Sequence, residues 1–221
     1  MEDLRFSKTD AGFHIEGFPD AVKVIKLDGK LAAQLASYSL HHFDLGRSLS
    51  ILESINKVDP EQYVIREALW HQAIVTYIKC FRPSEARYQL SEKKVYKEEP
   101  PEALEAFYYL LAMRNKNIVH DENRYTQCLP GAVLNNRDHQ YKIAKIVCMN
   151  IIGFDLGQES YSNLHLLTTK ALERVEAEYD SLCDRLTREL EAQEYESLLE
   201  REGITYSKPG ADGVHKSRMK L

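Results

Sequence analysis

The feature that most constrains the fold is a long, regular apolar stripe in the C-terminal half of the chain. From residue 158 to about residue 199, apolar side chains recur at three- and four-residue spacing, with Glu and Arg between them. The stripe consists of Leu164, Leu167, Ala171, Val175, Leu182, Leu186 and Leu190. This spacing predicts an α-helix with one buried face. Such a helix is longer than a compact bundle needs, so we expect it to protrude or to pack against another subunit.

Three earlier segments show the same periodicity. They predict helices over about 29–56, 60–81 and 101–117. The second of these begins at Asp59-Pro60, an N-cap residue followed by proline at the first helical position. The apolar stripe of the third helix consists of Leu104, Phe107, Tyr108 and Leu111. The aromatic residues 107–109 are expected in the core rather than as a base-stacking platform. Four long helices around one core predict a mainly α fold, a four-helix bundle.

Residues 124–152 break the helical pattern. Two β-rich runs, 125–134 and 141–152, flank a turn-forming segment at 135–138. Pro130-Gly131 weakens the first run or marks a bulge. The sequence therefore predicts a small β-hairpin inserted between helices three and four. By contrast, residues 82–99 are rich in Lys and Glu and are expected to form a solvated connector.

The ends of the chain are less regular. With 221 residues, the chain suits one domain, which we place at residues 1–205. Its first part, 1–27, alternates weakly and is expected to be irregular or a short hairpin. Residues 206–221 contain three glycines or prolines and four cations, a composition that predicts a disordered tail.

Composition narrows the possible functions. The net charge is −5 and the pI about 5.9, which disfavours a large basic surface for sequence-independent nucleic-acid binding but leaves a local basic cleft open. The four cysteines form no CxxC pair, so neither a zinc site nor a disulfide scaffold is indicated, and they are expected to be buried thiols. The N-terminal residues do not resemble a signal peptide, and no run of 18 apolar residues exists. These patterns predict a cytoplasmic protein without a membrane span.

The candidate chemistry lies where the third helix turns polar, in the run Arg114-Asn-Lys-Asn-Ile-Val-His120. Arginine offers a permanent, forked cation suited to phosphate, and histidine moves protons near neutral pH. Because RNA supplies its own 2′-hydroxyl nucleophile, this pair suits RNA cleavage without a metal or cofactor. On an ideal helix, Arg114 and His120 point about 120° apart. They reach one site only if the helix tightens, ends or kinks between them, which the weak helix formers Asn115 and Asn117 favour.

This heptapeptide resembles the signature of the HEPN superfamily, an arginine, a polar residue and a histidine a few positions later. The resemblance implies a helical bundle that is typically a homodimer, with two motifs meeting at the dimer interface. Many members are metal-independent endoribonucleases of toxin–antitoxin and phage-defence systems. On this resemblance, Arg114 and His120 are catalytic and Asn115 is the supporting polar residue. RNA or a nucleotide is then the ligand, and an antitoxin or regulatory protein is a further partner.

Several alternatives remain open from the sequence. The HEPN superfamily also contains non-catalytic modules that bind nucleotides, RNA or proteins. A second bare match, Arg66-Glu-Ala-Leu-Trp-His71, lies in the middle of a predicted helix and is interpreted as an ordinary helix segment. His41-His42 with Asp44 lacks a complete metal-ligand set. A dimeric scaffold built on the long last helix is a third possibility.

Overall fold

The computed structural model describes residues 6–9, 12–120, 122–153, 156–205 and 210–216, with side chains from residue 16 onward. In chain order its elements are β1 (Phe6–Thr9), β2 (Gly12–Ile15), α1 (Lys30–Ile55), α2 (Tyr63–Lys79), α3 (Glu92–Val95), α4 (Pro101–Met113), a π-helix (Arg114–Ile118), β3 (Thr126–Leu134), β4 (Ile143–Ile152), α5 (Gln158–Glu191), α6 (Tyr195–Glu200) and a 3₁₀ turn (Ala211–Gly213). The prediction of a mainly helical protein with a small antiparallel insertion is confirmed. The number of helices differs from the four expected.

The longest helix, α5, is shorter than its apolar stripe predicted. It ends at Glu191 rather than near residue 199, and α6 follows after a break. Two hydrogen bonds explain the end: Gln193 N–H donates to the Leu190 carbonyl at 2.9 Å, and Gln193 Nε2 donates to the Glu189 carbonyl at 2.8 Å. These bonds satisfy carbonyls that a continuing helix would have used. Glu194 then takes an extended conformation, with ψ 135°.

Two compact units are distinguished where the sequence predicted one domain over 1–205. The first comprises 1–46, 80–91 and 170–221, and the second comprises 47–79 and 92–169. Helices α1 and α5 each contribute residues to both units.

In the first unit, part of the expected solvated connector is buried. Arg87 is only 6% exposed, and its Nη1 donates to Asp44 Oδ2 at 2.6 Å. Beside it, His41 Nε2 donates to the Tyr88 carbonyl at 2.7 Å, and Leu90 is also buried. The connector prediction was therefore wrong for Arg87 and Leu90, whereas the side chains of residues 88 and 89 between them are exposed.

The second unit has a core of large apolar side chains. Its most deeply buried members are Trp70, Ile74, Tyr77, Ile78, Tyr96, Phe107, Leu110 and Leu164. The Tyr77 hydroxyl bonds to the Tyr96 hydroxyl, which donates in turn to the Leu167 carbonyl at 3.0 Å. Phe107 fulfils the expectation of a core residue, but Tyr108 and Tyr109 are 45% and 40% exposed. The expectation that all three are core was wrong, because a 13-residue helix buries only one stripe.

The inserted hairpin is present. Strands β3 and β4 pair antiparallel, from Thr126 opposite Ile152 to Leu134 opposite Ile143. The irregularity in their register lies between Val133 and Leu134, not at Pro130-Gly131. Nearly every residue of both strands is exposed.

The chain ends contain further short elements. Strands β1 and β2 form a two-stranded hairpin within the segment 1–27. Of the tail predicted to be disordered, residues 206–209 and 217–221 lie outside the described residues, and 210–216 contain the exposed 3₁₀ turn. Among the helices of the described chain, none is both long and apolar enough to span a membrane.

The buried ion pair gives a stability prediction. Arg87→Ala removes the guanidinium from a buried ion pair with the Asp44 carboxylate, so we expect a loss of about 3–5 kcal/mol in the free energy of unfolding. Urea denaturation followed by circular dichroism measures it. The matched control is Arg174→Ala, which removes an exposed pair with Glu178 and is expected to cost below about 1 kcal/mol. Equal losses for the two variants would contradict the assigned role of Arg87.

Candidate functional site

The candidate site lies at a local change in helix type. Helix α4 ends at Met113, and the next five residues, Arg114–Ile118, form a π-helix. Val119 N–H donates to the Arg114 carbonyl, five residues back, at 3.1 Å. Glu122 N–H then donates to the Lys116 carbonyl, six residues back, at 2.9 Å. The spacing of the backbone hydrogen bonds thus increases to five and then to six residues, and the helix ends there. Short π-helices of this kind occur frequently at functional sites.

The widened segment is supported from one side by α2, which lies against it within the second unit. The end of α4 is fixed by Leu110 and Met113, both of them buried. The π-helix itself contains no fully buried residue. Its conformation therefore depends on the buried end of α4 and on α2, rather than on its own packing.

Arg114 and Asn115 are brought together. Both are half-buried, and Arg114 Nη1 donates to Asn115 Oδ1 at 2.9 Å. This bond engages one of the five N–H groups of the guanidinium and fixes the direction of the fork. Asn115 thus contacts the arginine directly.

His120 is exposed and follows the end of the π-helix. Within the described residues, it forms no hydrogen bond or ion pair with Arg114, and the neighbouring Asp121 lies outside those residues. The helix has nevertheless widened and ended between the two residues. The 120° separation of an ideal α-helix therefore no longer applies.

The segment after His120 is anchored by residues that the sequence analysis did not single out. Asn123 Oδ1 accepts from the Tyr125 N–H at 3.0 Å, and the Tyr125 hydroxyl lies 3.2 Å from the Tyr109 hydroxyl on α4. Gly153 N–H donates to the Tyr125 carbonyl at 2.6 Å. A Cβ at Gly153 would lie 2.8 Å from the Tyr125 ring, so any larger residue there would force that ring to move. His120 is thus in a short link whose far end is fixed beside α4.

The second Arg–His match has a structural role. Arg66 Nη1 donates to the carbonyls of Ile55 and Val58, at 2.8 and 3.1 Å. These are carbonyls at and just beyond the C-terminus of α1, where a cation is favourable. His71 lies half-buried in the middle of α2. This geometry agrees with the interpretation of 66–71 as an ordinary helix segment.

Potential metal ligands are not grouped in the part of the chain that the structure describes, where no three His, Cys, Asp or Glu side chains are placed to share an ion. His42 bonds instead to Glu176 Oε1 at 3.0 Å.

The cysteines differ from the expected buried thiols, because Cys128 and Cys148 are exposed on the hairpin. Cys80 is buried, and partial burial raises the pKa of the Cys183 thiol above its usual value.

Comparison with known proteins does not assign the chain to a family. Neither the family models nor the curated proteins nor the solved structures include a match to the chain.

The two arginines should differ in their effect on stability. Arg66→Ala removes two charged hydrogen bonds to helix-end carbonyls and is expected to lower the free energy of unfolding by about 2 kcal/mol. Arg114→Ala removes one bond to a neighbouring side chain and is expected to cost below about 1 kcal/mol. Urea unfolding of the two variants measures the difference. A greater loss for Arg114→Ala would give that residue the structural role instead.

Proposed function

We propose that this chain is a metal-independent endoribonuclease of HEPN type. The observation that carries the proposal is the position of Arg114, Asn115 and His120 at the point where helix α4 widens into a π-helix and ends. A regular helix would fix the two candidate catalytic side chains in divergent directions. Because the π-helix ends at Ile118, before His120, that constraint does not extend to the histidine of the segment that resembles the HEPN signature.

In the proposed reaction, Arg114 binds the scissile phosphate of RNA. The bond to Asn115 orients the guanidinium, and the remaining N–H groups of its fork face the phosphate oxygens. As the 2′-oxygen attacks phosphorus, the Arg114 cation stabilises the charge that develops there. His120, exposed at the end of the π-helix, accepts the proton of the 2′-hydroxyl. The P–O5′ bond breaks, and the products are a 2′,3′-cyclic phosphate and a 5′-hydroxyl.

Protonation of the leaving 5′-oxygen requires a second acid. His120 is the only histidine in the 114–120 segment, and after accepting one proton it cannot provide the second in the same step. We therefore propose a homodimer in which His120 of the second copy donates that proton. The exposed position of His120 leaves it accessible to such a copy.

The substrate and setting follow from charge and from the resemblance. The net charge of −5 disfavours a broad RNA-binding surface, so recognition is expected to be confined to the region around Arg114 and the exposed Lys116. A role as a toxin or phage-defence effector in the cytoplasm, restrained by an antitoxin or regulatory partner, is what the resemblance to HEPN toxins adds.

A second candidate is a non-catalytic HEPN-like module that binds a nucleotide, RNA or a protein. The observation in its favour is the Arg114–Asn115 hydrogen bond, which orients a guanidinium for phosphate without involving His120. In such a module, Arg114 and Asn115 bind a phosphate, and His120 has no chemical role. The two functions differ in whether bound RNA is cut.

Substitution of the two residues tests catalysis. Arg114→Lys keeps the charge but loses the fork, and His120→Ala removes the proton carrier, so each is expected to lower the cleavage rate on a mixed RNA pool by about 10²–10⁴-fold. His120→Ala is expected to leave RNA affinity nearly unchanged, which filter binding measures. Gel electrophoresis of end-labelled RNA gives the rate and identifies the cyclic phosphate.

The matched control for His120→Ala is His71→Ala, from the second Arg–His match, with folding of every variant checked by circular dichroism. It is expected to cleave at the parental rate. A folded His120→Ala protein that cleaves as fast as the parent would show that the catalytic assignment is wrong. A parent that binds RNA without cutting it would support the binding module.

Chelation tests the metal independence. Because the proposed nucleophile is the substrate's own 2′-hydroxyl and the acid and base are histidines, cleavage is expected to continue at the same rate in excess EDTA. The control is a commercial metal-dependent nuclease in the same buffer, which must stop. Loss of cleavage that one added divalent ion restores would require a different mechanism.

A further inference from the structure

The β3–β4 hairpin exposes apolar residues on both faces. The largest of these are Leu129, Val133, Leu134, Ile143, Ile146, Val147, Met149, Ile151 and Ile152. In the described chain the sheet has two strands, and each presents one outer edge. Two-stranded hairpins are marginally stable in water by themselves. An uncovered apolar hairpin with open edges is therefore expected to bind a partner surface.

The pattern of the ladder shows which backbone groups point outward. Gly153 N–H donates to the Tyr125 carbonyl, so this pair is hydrogen-bonded, and hydrogen-bonded and non-hydrogen-bonded pairs alternate from there. The non-hydrogen-bonded pairs are Thr126–Ile152, Cys128–Asn150, Pro130–Cys148 and Ala132–Ile146. The N–H and C=O groups of these residues face away from the hairpin.

The two edges are not equivalent. On β3, one outward position is Pro130, which has no N–H to donate and which interrupts any added strand. On β4, the outward positions 146, 148, 150 and 152 all carry N–H groups. Strand β4 contains a single charged residue, Lys145. The outer edge of β4 is therefore the one that can accept another strand.

Strand β4 matches itself in the antiparallel direction. Outward positions must face outward positions, and a two-fold axis at Met149 meets this condition. It places Ile146 opposite Ile152, Val147 opposite Ile151, and the two copies of Met149 together. Lys145 then faces Gly153, so like charges are not opposed. An axis at Cys148 would instead place Lys145 opposite Ile151 and Ile146 opposite Asn150, which loses the apolar pairs.

The number of bonds is sufficient for an interface. Four outward pairs with two hydrogen bonds each give about eight interchain backbone bonds. Typical protein interfaces contain about 10 ± 5 direct hydrogen bonds. The new four-stranded sheet also extends each apolar face of the hairpin and removes two open edges.

We propose that a second copy of this chain binds along the outer edge of β4, antiparallel, with the two-fold axis at Met149. The dimer contains a continuous four-stranded sheet in the order β3–β4–β4–β3. The contact is isologous and closes after two copies, because the outer β3 edges carry Pro130. This inference uses the hairpin alone and does not depend on RNA cleavage.

Proline substitution on the two edges tests the proposal with a matched pair. Asn150→Pro removes an outward N–H from β4, whereas Cys128→Pro makes the same change at its cross-strand neighbour on β3. Size-exclusion chromatography with light scattering is expected to give a dimer at micromolar concentration for the full chain and for Cys128→Pro. Asn150→Pro is expected to raise the dissociation constant of the dimer at least about tenfold. The reason is that proline lacks the outward N–H of residue 150 and disturbs the neighbouring interchain hydrogen bonds.

A monomeric parent, or a dimer that tolerates Asn150→Pro, would overturn the proposal. The second outcome would also be expected if copies met only at the 114–120 segments. Hydrogen exchange of the unmutated chain provides an independent measurement if the proline variant does not fold. The amides of Ile146, Cys148, Asn150 and Ile152 are expected to exchange more slowly as protein concentration rises. No such change would also overturn it.

Cysteine cross-linking tests the register. In a Cys148→Ser background, Met149→Cys places two thiols in a non-hydrogen-bonded pair across the axis, within disulfide reach. Mild oxidation is expected to give a covalent dimer on a non-reducing gel. Val147→Cys in the same background is the control, because its own copy lies four residues away along the partner strand. Cross-linking through the natural Cys148, without any through Met149→Cys, would overturn the proposed axis.

Discussion

The hydroxyl chain from Tyr77 through Tyr96 to the Leu167 carbonyl supports the half of the chain that contains the candidate site. It joins α2, the residue that follows α3, and α5, in a region where each hydroxyl is buried and needs a partner. Phe107 of α4 packs on both tyrosine rings, with centroid distances of 6.2 and 6.1 Å. Because the π-helix continues α4 and lies against α2, its position depends on this network.

Periodicity predicted the long helices because their buried faces repeat regularly, but it could not predict their ends. Asp59-Pro60 predicts a helix that starts at Pro60, whereas α2 begins at Tyr63. The Asp59 carboxylate accepts from Glu61 N–H at 2.9 Å, and the Asp59 carbonyl accepts from Gln62 N–H at 2.9 Å. The same residues that start helices also form turns, and local sequence does not distinguish the two uses. The end of α5 was not predicted for a similar reason, because leucines continue in the sequence beyond the residue at which the helix ends.

Contacts between distant residues were beyond the reach of the sequence. Arg87 lies among polar residues, and its burial requires Asp44, which is 43 positions earlier. Nothing in the local pattern marks such a pair.

The candidate residues Arg114, Asn115 and His120 were identifiable from their types and spacing, but the π-helix was not. A helix widens when one extra residue is accommodated between hydrogen-bonded partners of its backbone. Whether this happens depends on how the flanking turns are held by α2 and by the segment between His120 and Tyr125. Asn115 and Asn117 indicated only that the helix is weak there.

Two places where the described part of the chain departs from ordinary rules of folding are also places with a proposed role. A π-helix gives up regular hydrogen bonding, and an exposed apolar hairpin gives up the burial that stabilises a sheet. Proteins retain such departures where function compensates for them. Tyr125 connects the two features, because its hydroxyl meets α4 through Tyr109 and its carbonyl begins the ladder with Gly153. A chain that pairs along β4 would therefore hold that ladder more rigidly at the end nearest the 114–120 segment. Under the proposed pairing, the hairpin would order the segment after His120 through the Tyr125–Tyr109 hydroxyl contact, whichever ligand the candidate site binds.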